Sequence, residues 1–241
     1  IQRFSGYEQV NFLQKIRFKP TGNLEMQYSF TYAGTGNAPR YDRLIQYRNG
    51  NLRFAEWNYG PMLWRMHHFQ MLHSKKNAVY DDARLTIAYQ NYDESRIDRT
   101  RANNTRNRQA EKVNALSINL DAGKKIGKGE LFYGAEHVYN KVGSTGTRTN
   151  ILTMAETPSV SRYPDGSTWS TTGIYGSYKI NLHPSFTLTG GIRYSYNTLN
   201  AVFDTTFIKF PYQKATLRDG GLTGNLGMVY RPTESWQFNA N

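Results

Sequence analysis

The sequence predicts an all-β protein, namely an antiparallel transmembrane β-barrel, of which this chain supplies about ten consecutive strands. Two observations lead to this fold class. Short turns alternate with long polar connections, and the segments between them alternate apolar and polar residues. Both features are typical of outer-membrane barrels, which have short periplasmic turns, long extracellular loops and one lipid-facing side per strand.

The turns set the period of the chain. Tight turns are predicted at 19–23, 74–77, 123–129, 183–185 and 231–235, where glycine, proline, asparagine and serine cluster. Long connections lie between successive tight turns, for example at 33–60 and 143–168. The tight turns are therefore assigned to the periplasmic end and the long connections to the extracellular end.

The segment 186–197 shows the clearest alternation, because its apolar face is aromatic at both ends and aliphatic in the middle. Ten residue steps span roughly 33 Å along a strand, or about 25 Å of height at a tilt near 40°, which matches the apolar band of such a barrel. Aromatic residues at the ends of these faces are predicted to form lipid-facing girdles: Tyr28, Tyr32, Tyr89, Tyr178, Phe186, Tyr194, Tyr196, Tyr230 and Trp236.

Composition alone would favour a soluble protein, since hydrophobic residues make up 38% of the chain and no run approaches the ~18 apolar residues of a membrane helix. A barrel avoids this requirement, because only every second strand residue faces lipid. A soluble antiparallel sandwich would also alternate. Its connections would usually be short at both ends, however, and few tyrosines would flank its core face.

Two segments fit the alternation poorly. In 62–71 neither face is cleanly apolar, which predicts a bulge or a strand end above the membrane. In 131–142, His137 shares the predicted lipid-facing side. We expect it at the membrane interface, where the polar tip of an otherwise apolar side chain is tolerated.

The order of the turns predicts a barrel segment that is open on both sides. The first strand runs towards a tight turn, so Ile1 is expected on the extracellular side, and the tenth strand stops part-way across the membrane at Asn241. A complete bacterial barrel has an even number of strands and leaves no free edge in lipid. We therefore expect further strands on both sides, and no pairing between the first and tenth strands.

No residue cluster predicts catalysis or a metal site. The chain has no cysteine, and the adjacent His67 and His68 would point to opposite faces of a strand. Asp81 and Asp82 follow a tight turn at the periplasmic end, whereas an outer-membrane protease would need its acids at the extracellular rim. We therefore expect a chain that is not an enzyme and has no cofactor of its own.

The net charge of +12 has two predicted locations. One is a long loop that carries Arg96, Arg99, Arg101, Arg106 and Arg108. This loop is interpreted as a solvated tip or as a contact for lipopolysaccharide phosphates, in preference to a nucleic-acid site. The other is the lumen face, where cations would attract anionic cargo or pair with acids such as Glu25 and Asp121: Lys15, Arg17, Arg84, Lys179, Arg193 and Arg231.

Several stretches resemble a known family. The segment 6–20 (GYEQVNFLQKIRFKP) is similar to the barrel of TonB-dependent outer-membrane receptors. The pair 39–44 (PRYDRL) and 54–61 (FAEWNYGP) resembles their haem and haemoglobin branch, and 230–241 resembles the strand that precedes that branch's Phe-Arg-Ala-Pro box. Asn58 and Met62 depart from the branch, which has an aromatic residue and a glutamine there.

The resemblance implies a 22-stranded barrel with an N-terminal plug, energised by the inner-membrane TonB complex, in the outer membrane of a Gram-negative bacterium. Residues 1–241 would be part of that one barrel domain, with the plug and the C-terminal strands outside this sequence. The implied function is uptake of haem, from a haem protein or free, or of another iron-containing cargo. The alternatives are a siderophore receptor of the same fold and a passive barrel that serves as a binding or adhesion surface.

Cargo contacts in this chain are predicted in the first long connection, at Arg40, Tyr41, Arg43, Trp57 and Tyr59. Aromatic faces stack on flat ligands, and arginine forks bind carboxylates such as haem propionates. The competing interpretation is a loop that packs against its neighbours through its own aromatic residues. No haem-ligating residue is assigned.

Overall fold

The computed structural model describes residues 5–241, and nearly all of their regular structure is β-strand. In this part of the chain, no helix is long and apolar enough to cross a membrane. The elements in chain order are β1 (Gln9–Thr21), β2 (Leu24–Thr35), β3 (Ala38–Pro39), α1 (Tyr41–Leu44), β4 (Tyr47–Arg48), β5 (Asn51–Leu52), β6 (Phe54–Tyr59), β7 (Met62–His73), β8 (Asp82–Thr100), β9 (Thr105–Ile126), β10 (Gly129–Asn150), β11 (Glu156–Ser159), β12 (Ser167–His183), β13 (Phe186–Val202), β14 (Lys214–Thr233) and β15 (Trp236–Ala240).

Ten strands form one antiparallel path in sequence order: β1-β2-β7-β8-β9-β10-β12-β13-β14-β15. The shorter strands β3, β6 and β11 attach to this path, and β4 and β5 form a separate hairpin. Between residues 5 and 241, β1 and β15 lie at the two edges and do not pair, so the sheet stays open. The prediction of about ten strands from a larger barrel is confirmed, while Ile1 lies outside the described residues.

The two ends of the sheet differ as predicted. Two-residue turns join β1 to β2, β9 to β10, β12 to β13, and β14 to β15, and a longer turn at 74–81 joins β7 to β8. The connections at the opposite end are 36–61, 101–104, 151–166 and 203–213. The first of them carries β3, α1 and β4–β6, and the third carries β11.

Two connections are shorter than the sequence predicted. The strand β10 continues to Asn150, so the predicted connection 143–168 shrinks to 151–166. The arginine-rich stretch is also not a long loop, because β8 and β9 pair without a break from Asp82↔Gly123 to Asp98↔Asn107 and are joined by 101–104. Strands that rise beyond the bilayer need no apolar face, and they therefore resemble loops in sequence.

The strand β7 is regular, so the bulge expected in 62–71 is wrong. The alternative expectation, a strand end above the membrane, agrees with the start of β7 at Met62, at the end of the sheet that carries the long connections. The strand pairs with β2 and with β8 along its length without a register shift. Polar side chains on its mixed outer face have cross-strand partners: His67 Nδ1 lies 2.7 Å from Tyr28 Oη, and Arg65 Nη2 donates to Asp93 Oδ2 over 3.2 Å.

The register assigns every strand residue to one of two faces. The outer face contains cross-strand apolar rows such as Ile87↔Ile118 and Leu120↔Ala135. All nine predicted girdle residues fall on this outer face, and their contact with lipid stays a prediction. His137 is also on it, with Nδ1 2.9 Å from Thr172 Oγ1.

The sheet has little interior of its own. Across the described residues, the buried hydrophobic side chains are Phe54, Ala88 and Ala201, whereas Leu226 and Leu222 on the outer face are 72% and 67% exposed. A soluble protein would cover such a surface. Apolar residues directed outwards around a polar inner face are what a membrane barrel requires.

The inner, or lumen, face carries the basic residues that the sequence placed there. Arg17 forms an ion pair with Glu25, as the paired interpretation expected, and Arg193 forms one with Glu136. Asp121, the other expected acid, accepts a hydrogen bond from a tyrosine hydroxyl instead. Two of the six predicted lumen cations are therefore neutralised, whereas Lys15, Arg84, Lys179 and Arg231 form no ion pair within residues 5–241.

Candidate functional site

The first long connection folds onto the end of β8 and extends the sheet. The strand β6 pairs with β8 beyond the end of β7, through Trp57↔Asp98 and Tyr59↔Arg96, and β3 pairs with β6 in turn. Because Asp98 and Arg96 lie on the lumen face, Trp57 and Tyr59 lie there too. Glu56 pairs with Arg99 on the outer face, so Glu56 lies on the face of β6 opposite to Trp57 and Tyr59.

Four of the five predicted contact residues meet on this lumen side. The guanidinium carbon of Arg40 lies 5.2 Å from the ring centre of Trp57 and 5.3 Å from that of Tyr59, and Nη1 donates to Tyr59 Oη over 2.8 Å. The two rings are perpendicular, with centroids 5.0 Å apart. Arg43 lies 5.7 Å from the Trp57 ring. Cations over aromatic faces are attracted by the ring quadrupole.

The turn α1 positions the arginines. Asp42 accepts hydrogen bonds from Arg40 Nε over 2.7 Å and from Nη2 over 2.5 Å, which fixes the guanidinium plane over the rings. Hydrogen bonding to Asp42 raises the pKa of Arg40, and Arg40 in turn holds the pKa of Asp42 below its ordinary value of 3.8. Tyr41 lies in the same turn, but within residues 5–241 its ring makes no stacking contact with the cluster.

Arg96 is part of this cluster, although the sequence placed it in a loop tip. Its guanidinium carbon lies 5.1 Å from the Tyr59 ring centre, and its Nε is buried without a hydrogen-bond partner in the described part of the chain. The signal that could have located it is the strand alternation, continued upwards from Arg84 along β8. We define Arg40, Arg43, Trp57, Tyr59 and Arg96 as the arginine–aromatic cluster.

Glu56, on the outer face of β6, attaches the first long connection to the β8–β9 hairpin. It accepts hydrogen bonds from Arg106 Nε over 2.7 Å and Nη2 over 3.1 Å, and from Arg99 Nε over 3.0 Å. These bonds, with that of Arg106 the strongest, hold the pKa of Glu56 below its ordinary value of 4.5. The sequence did not predict this ion-pair network.

A glycine joins the connection to β7. Gly60 has φ +95°, and its backbone exchanges two hydrogen bonds of 2.7 Å with the buried Ser95: Gly60 N donates to Ser95 O, and Ser95 Oγ donates to Gly60 O. A Cβ at position 60 would lie 2.5 Å from Gly36 O. Only glycine fits this conformation and this spacing without strain.

A second concavity lies on the lumen face beside the connection 151–166. Its volume is about 510 Å³, and most of the surface exposed in it is apolar, although Glu94 and Glu111 also line it. Val113, Val142, Trp169 and Leu199 belong to strands, and Tyr163 belongs to the connection. An apolar patch is unusual on the lumen side of a barrel, which is generally polar.

Two carboxylates flank this cavity. Glu94 accepts hydrogen bonds from Arg162 Nη1 over 3.1 Å and from Tyr92 Oη over 3.2 Å. Glu111 is 4% exposed, neither of its carboxylate oxygens has a hydrogen-bond partner in the described chain, and Arg162 Nη1 lies 3.8 Å away. Burial raises the pKa of Glu111.

The arginine–aromatic cluster is positively charged. The arginine–aromatic cluster presents three guanidinium groups and two rings around one exposed carboxylate, Asp42, so it carries an excess of positive charge. Such a surface suits a flat anionic group. Residues 5–241 contain no group of three histidines or acids placed to hold a metal ion.

The family comparison decides what kind of barrel this is. A family model described as "TonB dependent receptor-like, beta-barrel" matches residues 3–241. The chain belongs to this family. The open sheet is therefore part of a TonB-dependent receptor barrel from the outer membrane of a Gram-negative bacterium, with its short turns periplasmic and its long connections extracellular.

Solved structures of receptors share the fold. The copper transporter OprC is 12% identical with a TM-score of 0.77, over 95% of this chain and 35% of OprC. The ferric yersiniabactin receptor FyuA from Yersinia pestis is 15% identical with a TM-score of 0.67, over 97% and 37%. The haemophore receptor HasR from Serratia marcescens, solved with its haemophore and haem, is 14% identical with a TM-score of 0.64, over 97% and 35%.

This receptor barrel spans little more than a third of the length of those structures. At such low identity the likeness shows the fold and does not separate copper, siderophore and haem receptors. No curated protein sequence matches the chain. The predicted resemblance to TonB-dependent receptors is confirmed, and the haem branch is not distinguished from the others.

Proposed function

We propose that this receptor barrel serves the TonB-energised uptake of haem or another iron-containing cargo, and that it performs no covalent chemistry. The chain would form part of one larger barrel whose plug contacts TonB. Its arginine–aromatic cluster would meet the cargo at the extracellular end of the lumen. The observation that carries the proposal is the stack of Arg40 over Trp57 and Tyr59 on the lumen side.

The charge of the cluster favours an anionic cargo. Asp42 neutralises one guanidinium, and the side chain of Asp42 is 57% exposed, so an incoming carboxylate can compete with it for Arg40. Arg43 Nε lies 4.0 Å from Asp42 Oδ2, at the outer limit of an ion pair. Within residues 5–241, Arg96 forms no ion pair, so its charge remains available to a ligand. Haem propionates would bind to these arginine forks while the porphyrin plane contacts the rings.

The alternative of the same fold is a ferric siderophore receptor. Many of the same features would serve it, since an anionic iron chelate also needs cations and aromatic surfaces, and a siderophore receptor is among the structural neighbours. The third candidate is a passive barrel that acts as a binding or adhesion surface. Transport that depends on TonB separates the first two from the third.

The test is difference absorbance of the full receptor in detergent, titrated with haemin and, in parallel, with haemoglobin. We expect a saturable Soret shift that weakens when Tyr41 or Trp57 is replaced by alanine. Tyr47→Ala is the matched control, because Tyr47 lies in the same connection but is 71% exposed in the β4–β5 hairpin. A shift that survives Tyr41→Ala and Trp57→Ala would place the haem site outside this chain.

Two other outcomes would contradict the haem proposal. The absence of a Soret shift with both ligands would favour the siderophore alternative. Growth on haem as the sole iron source that persists after removal of TonB would favour passive passage over active uptake.

A further inference from the structure

The longest periplasmic turn between residues 5 and 241, at 74–81, lies against the outer face of the sheet. Tyr80 Oη lies 2.8 Å from Nδ1 of His73 on β7, and Tyr133 Oη on β10 donates to Val79 O over 2.8 Å. One cross-strand row of the outer face joins these two anchors: His73, Ala83, Ala122 and Tyr133. The end of the turn therefore crosses β8 and β9 over two small side chains. We call residues 77–81 the strap.

The backbone of the strap is hydrogen-bonded within the protein. Asn77 N donates to Tyr80 O over 2.9 Å, and Asn77 Oδ1 accepts from the amides of Val79 and Tyr80 over 2.8 and 3.0 Å. Lys124 Nζ donates to Asn77 O, and the Tyr133 hydroxyl donates to Val79 O. A turn in water does not need such bonds, because water can supply them, whereas a segment that borders lipid does.

The strap also exposes an apolar side chain. Val79 is 64% exposed. The next outer-face row towards the membrane centre is apolar throughout: Met71, Leu85, Leu120 and Ala135. Val79 therefore lies at the periplasmic edge of the apolar band, where acyl chains can cover it and remove its surface from water.

Lys75 and Lys76 precede the strap. Both are exposed, and neither forms an ion pair in the part of the chain that the structure describes. The acid of this turn, Asp81, is already bound: Oδ1 accepts from Lys124 Nζ over 2.9 Å, and Oδ2 accepts from the amide of Lys125 over 3.0 Å. Hydrogen bonding to Lys124 holds the pKa of Asp81 below 3.8, and the charge of Lys76 contributes less. The lysine pair therefore keeps most of its charge for a ligand.

The balance of charge around the strap is positive. The turns 74–81 and 127–128 and their flanking residues carry these charged side chains: Lys75, Lys76, Lys124, Lys125, Lys128, Asp81, Asp82 and Glu130. Glu130 stands opposite Lys125 on the lumen face, and Asp82 also lies on that face. Outside the lumen face, four lysines therefore accompany one acid.

These features together fit the surface of a phospholipid leaflet. The strap lies at the periplasmic ends of the strands, on the face of the barrel that the membrane covers. An apolar side chain with cations beside it suits the boundary between acyl chains and anionic headgroups. A soluble periplasmic polyanion would use the lysines, but it would need neither Val79 nor a backbone that is hydrogen-bonded without water.

We propose that the strap, with Lys75 and Lys76, is an interfacial binding site for an anionic phospholipid of the periplasmic leaflet. Val79 would contact the acyl chains, and the two lysines would bind the headgroup phosphate. The site is independent of cargo transport, since it lies at the opposite end of the barrel from the arginine–aromatic cluster.

The test is a titration of the delipidated full receptor in detergent with three probes: phosphatidylglycerol, phosphatidylcholine with the same acyl chains, and glycerol 3-phosphate. Native mass spectrometry counts the bound lipid. We expect the first phosphatidylglycerol to bind most tightly. The double variant Lys75→Gln/Lys76→Gln should weaken this binding roughly 10- to 30-fold, as expected for the loss of two cations at a charged membrane surface.

Two matched variants control the titration. Lys75→Arg/Lys76→Arg keeps the charge and should retain binding. Arg48→Gln/Lys209→Gln removes two exposed cations from the extracellular connections and should bind as the parent does. Heat-dependent mobility on gels verifies that each variant is a folded barrel.

A spin label measures the position of the strap. Val79→Cys is labelled with a nitroxide, in a receptor without other cysteines, and placed in lipid nanodiscs. We expect the label to collide more with oxygen than with a water-soluble nickel complex. The same label at Tyr47→Cys, in the exposed β4–β5 hairpin, should show the reverse. Tyr133→Phe removes the donor to Val79 O and should shift the label at position 79 towards water.

Four results would overturn the proposal. They are unchanged phosphatidylglycerol binding in the Lys75→Gln/Lys76→Gln receptor, equally tight binding of phosphatidylcholine, full competition by millimolar glycerol 3-phosphate, and a label at position 79 that is open to the nickel complex. The third would assign the lysines to soluble phosphate esters.

Discussion

The carboxylate of Glu56 on β6 accepts two hydrogen bonds, of 2.7 and 3.1 Å, from the guanidinium of Arg106, which lies 50 residues further along the chain on β9. Arg99 on β8 adds a third bond of 3.0 Å. One side chain thus joins the first extracellular connection to two strands of the barrel wall. The lumen-side cluster on the other face of β6 depends on this attachment for its position.

Glu56→Gln should loosen the connection. The amide keeps the shape but loses the charge that both arginines face, so local opening of 36–61 should become easier by about 1–2 kcal/mol. Hydrogen exchange of the amides in 54–59 measures this opening. Glu8→Gln, an exposed acid near β1, is the control and should change nothing there.

The effect of Glu56→Gln should depend on pH with a definite sign. Because the folded pKa of Glu56 is depressed below 4.5, its stabilisation is fully present above that pH and declines as the pH falls through the lower folded value. The difference between Glu56→Gln and the parent should therefore be largest at neutral pH and shrink in acid. A difference that grows in acid would contradict the assigned role of the ion pair.

The two acids beside the lumen cavity should respond in opposite directions. Glu111→Gln should raise the stability of the barrel at neutral pH by about 1 kcal/mol, because it removes a buried charge that lacks hydrogen bonds. Glu94→Gln should lower stability by about 1–2 kcal/mol, since Glu94 accepts bonds from Arg162 and Tyr92. Apparent unfolding temperatures in detergent compare the two variants.

The pH dependence of the Glu111→Gln effect shows whether the buried charge of Glu111 causes it. The charged groups around Glu111 are Glu94, Arg162 and Arg96, and burial outweighs their effect, so the folded pKa of Glu111 lies above 4.5. Below pH 4.5 Glu111 is protonated and does not destabilise the folded state. As the pH rises through the pKa of Glu111 in the folded state, its buried charge lowers the free energy of unfolding. The gain from Glu111→Gln should vanish in acid; a gain that persists there would point to packing.

Replacing Gly60 with alanine should cost far more stability than the same replacement of Gly50. Gly60→Ala combines a positive φ with a contact of 2.5 Å to Gly36 O, and it should cost roughly 3 kcal/mol or prevent assembly. Gly50→Ala at φ +78° meets no atom within 4 Å and should cost about 1 kcal/mol. Unfolding midpoints in urea measure both, and equal losses would show that the contact with Gly36 is readily relieved.

The membrane-spanning part of this fold could be predicted from the sequence, because every strand in lipid needs one apolar face. Between Phe186 and Tyr196 each second residue must be apolar, and that alternation fixes the face, the span and the girdle. The same alternation identified the other strands, and clusters of glycine, proline, asparagine and serine identified the short turns. The alternation stops at the bilayer surface, which is why the continuation of β8 and β9 to Thr100 and Thr105 resembled a loop.

The residues of the arginine–aromatic cluster were predicted only in part, because residue type is visible in the sequence and the pairing of β6 is not. Arg40, Trp57 and Tyr59 were identifiable as a stacking set from residue type and from a family resemblance. Their shared face was not, since it depends on the pairing of β6 with β8 across a register shift between Phe54 and Glu56. A shift of one residue moves every side chain of a strand to the opposite face of the sheet. No pattern in the sequence of 54–59 predicts this shift.

The geometry of Arg40, beyond its charge, should matter for the cluster. Arg40→Lys keeps the positive charge, but an ammonium cannot bind Asp42 through two bonds from one planar group while it also contacts the Trp57 ring. We therefore expect several-fold faster hydrogen exchange in 40–46 and several-fold weaker haemin binding, with Arg40→Gln weaker still. Arg48→Lys in the exposed β4–β5 hairpin is the control. Haemin binding that is lost in Arg40→Gln but intact in Arg40→Lys would assign Arg40 to simple charge attraction, and the stacked arrangement would then serve only to hold the connection.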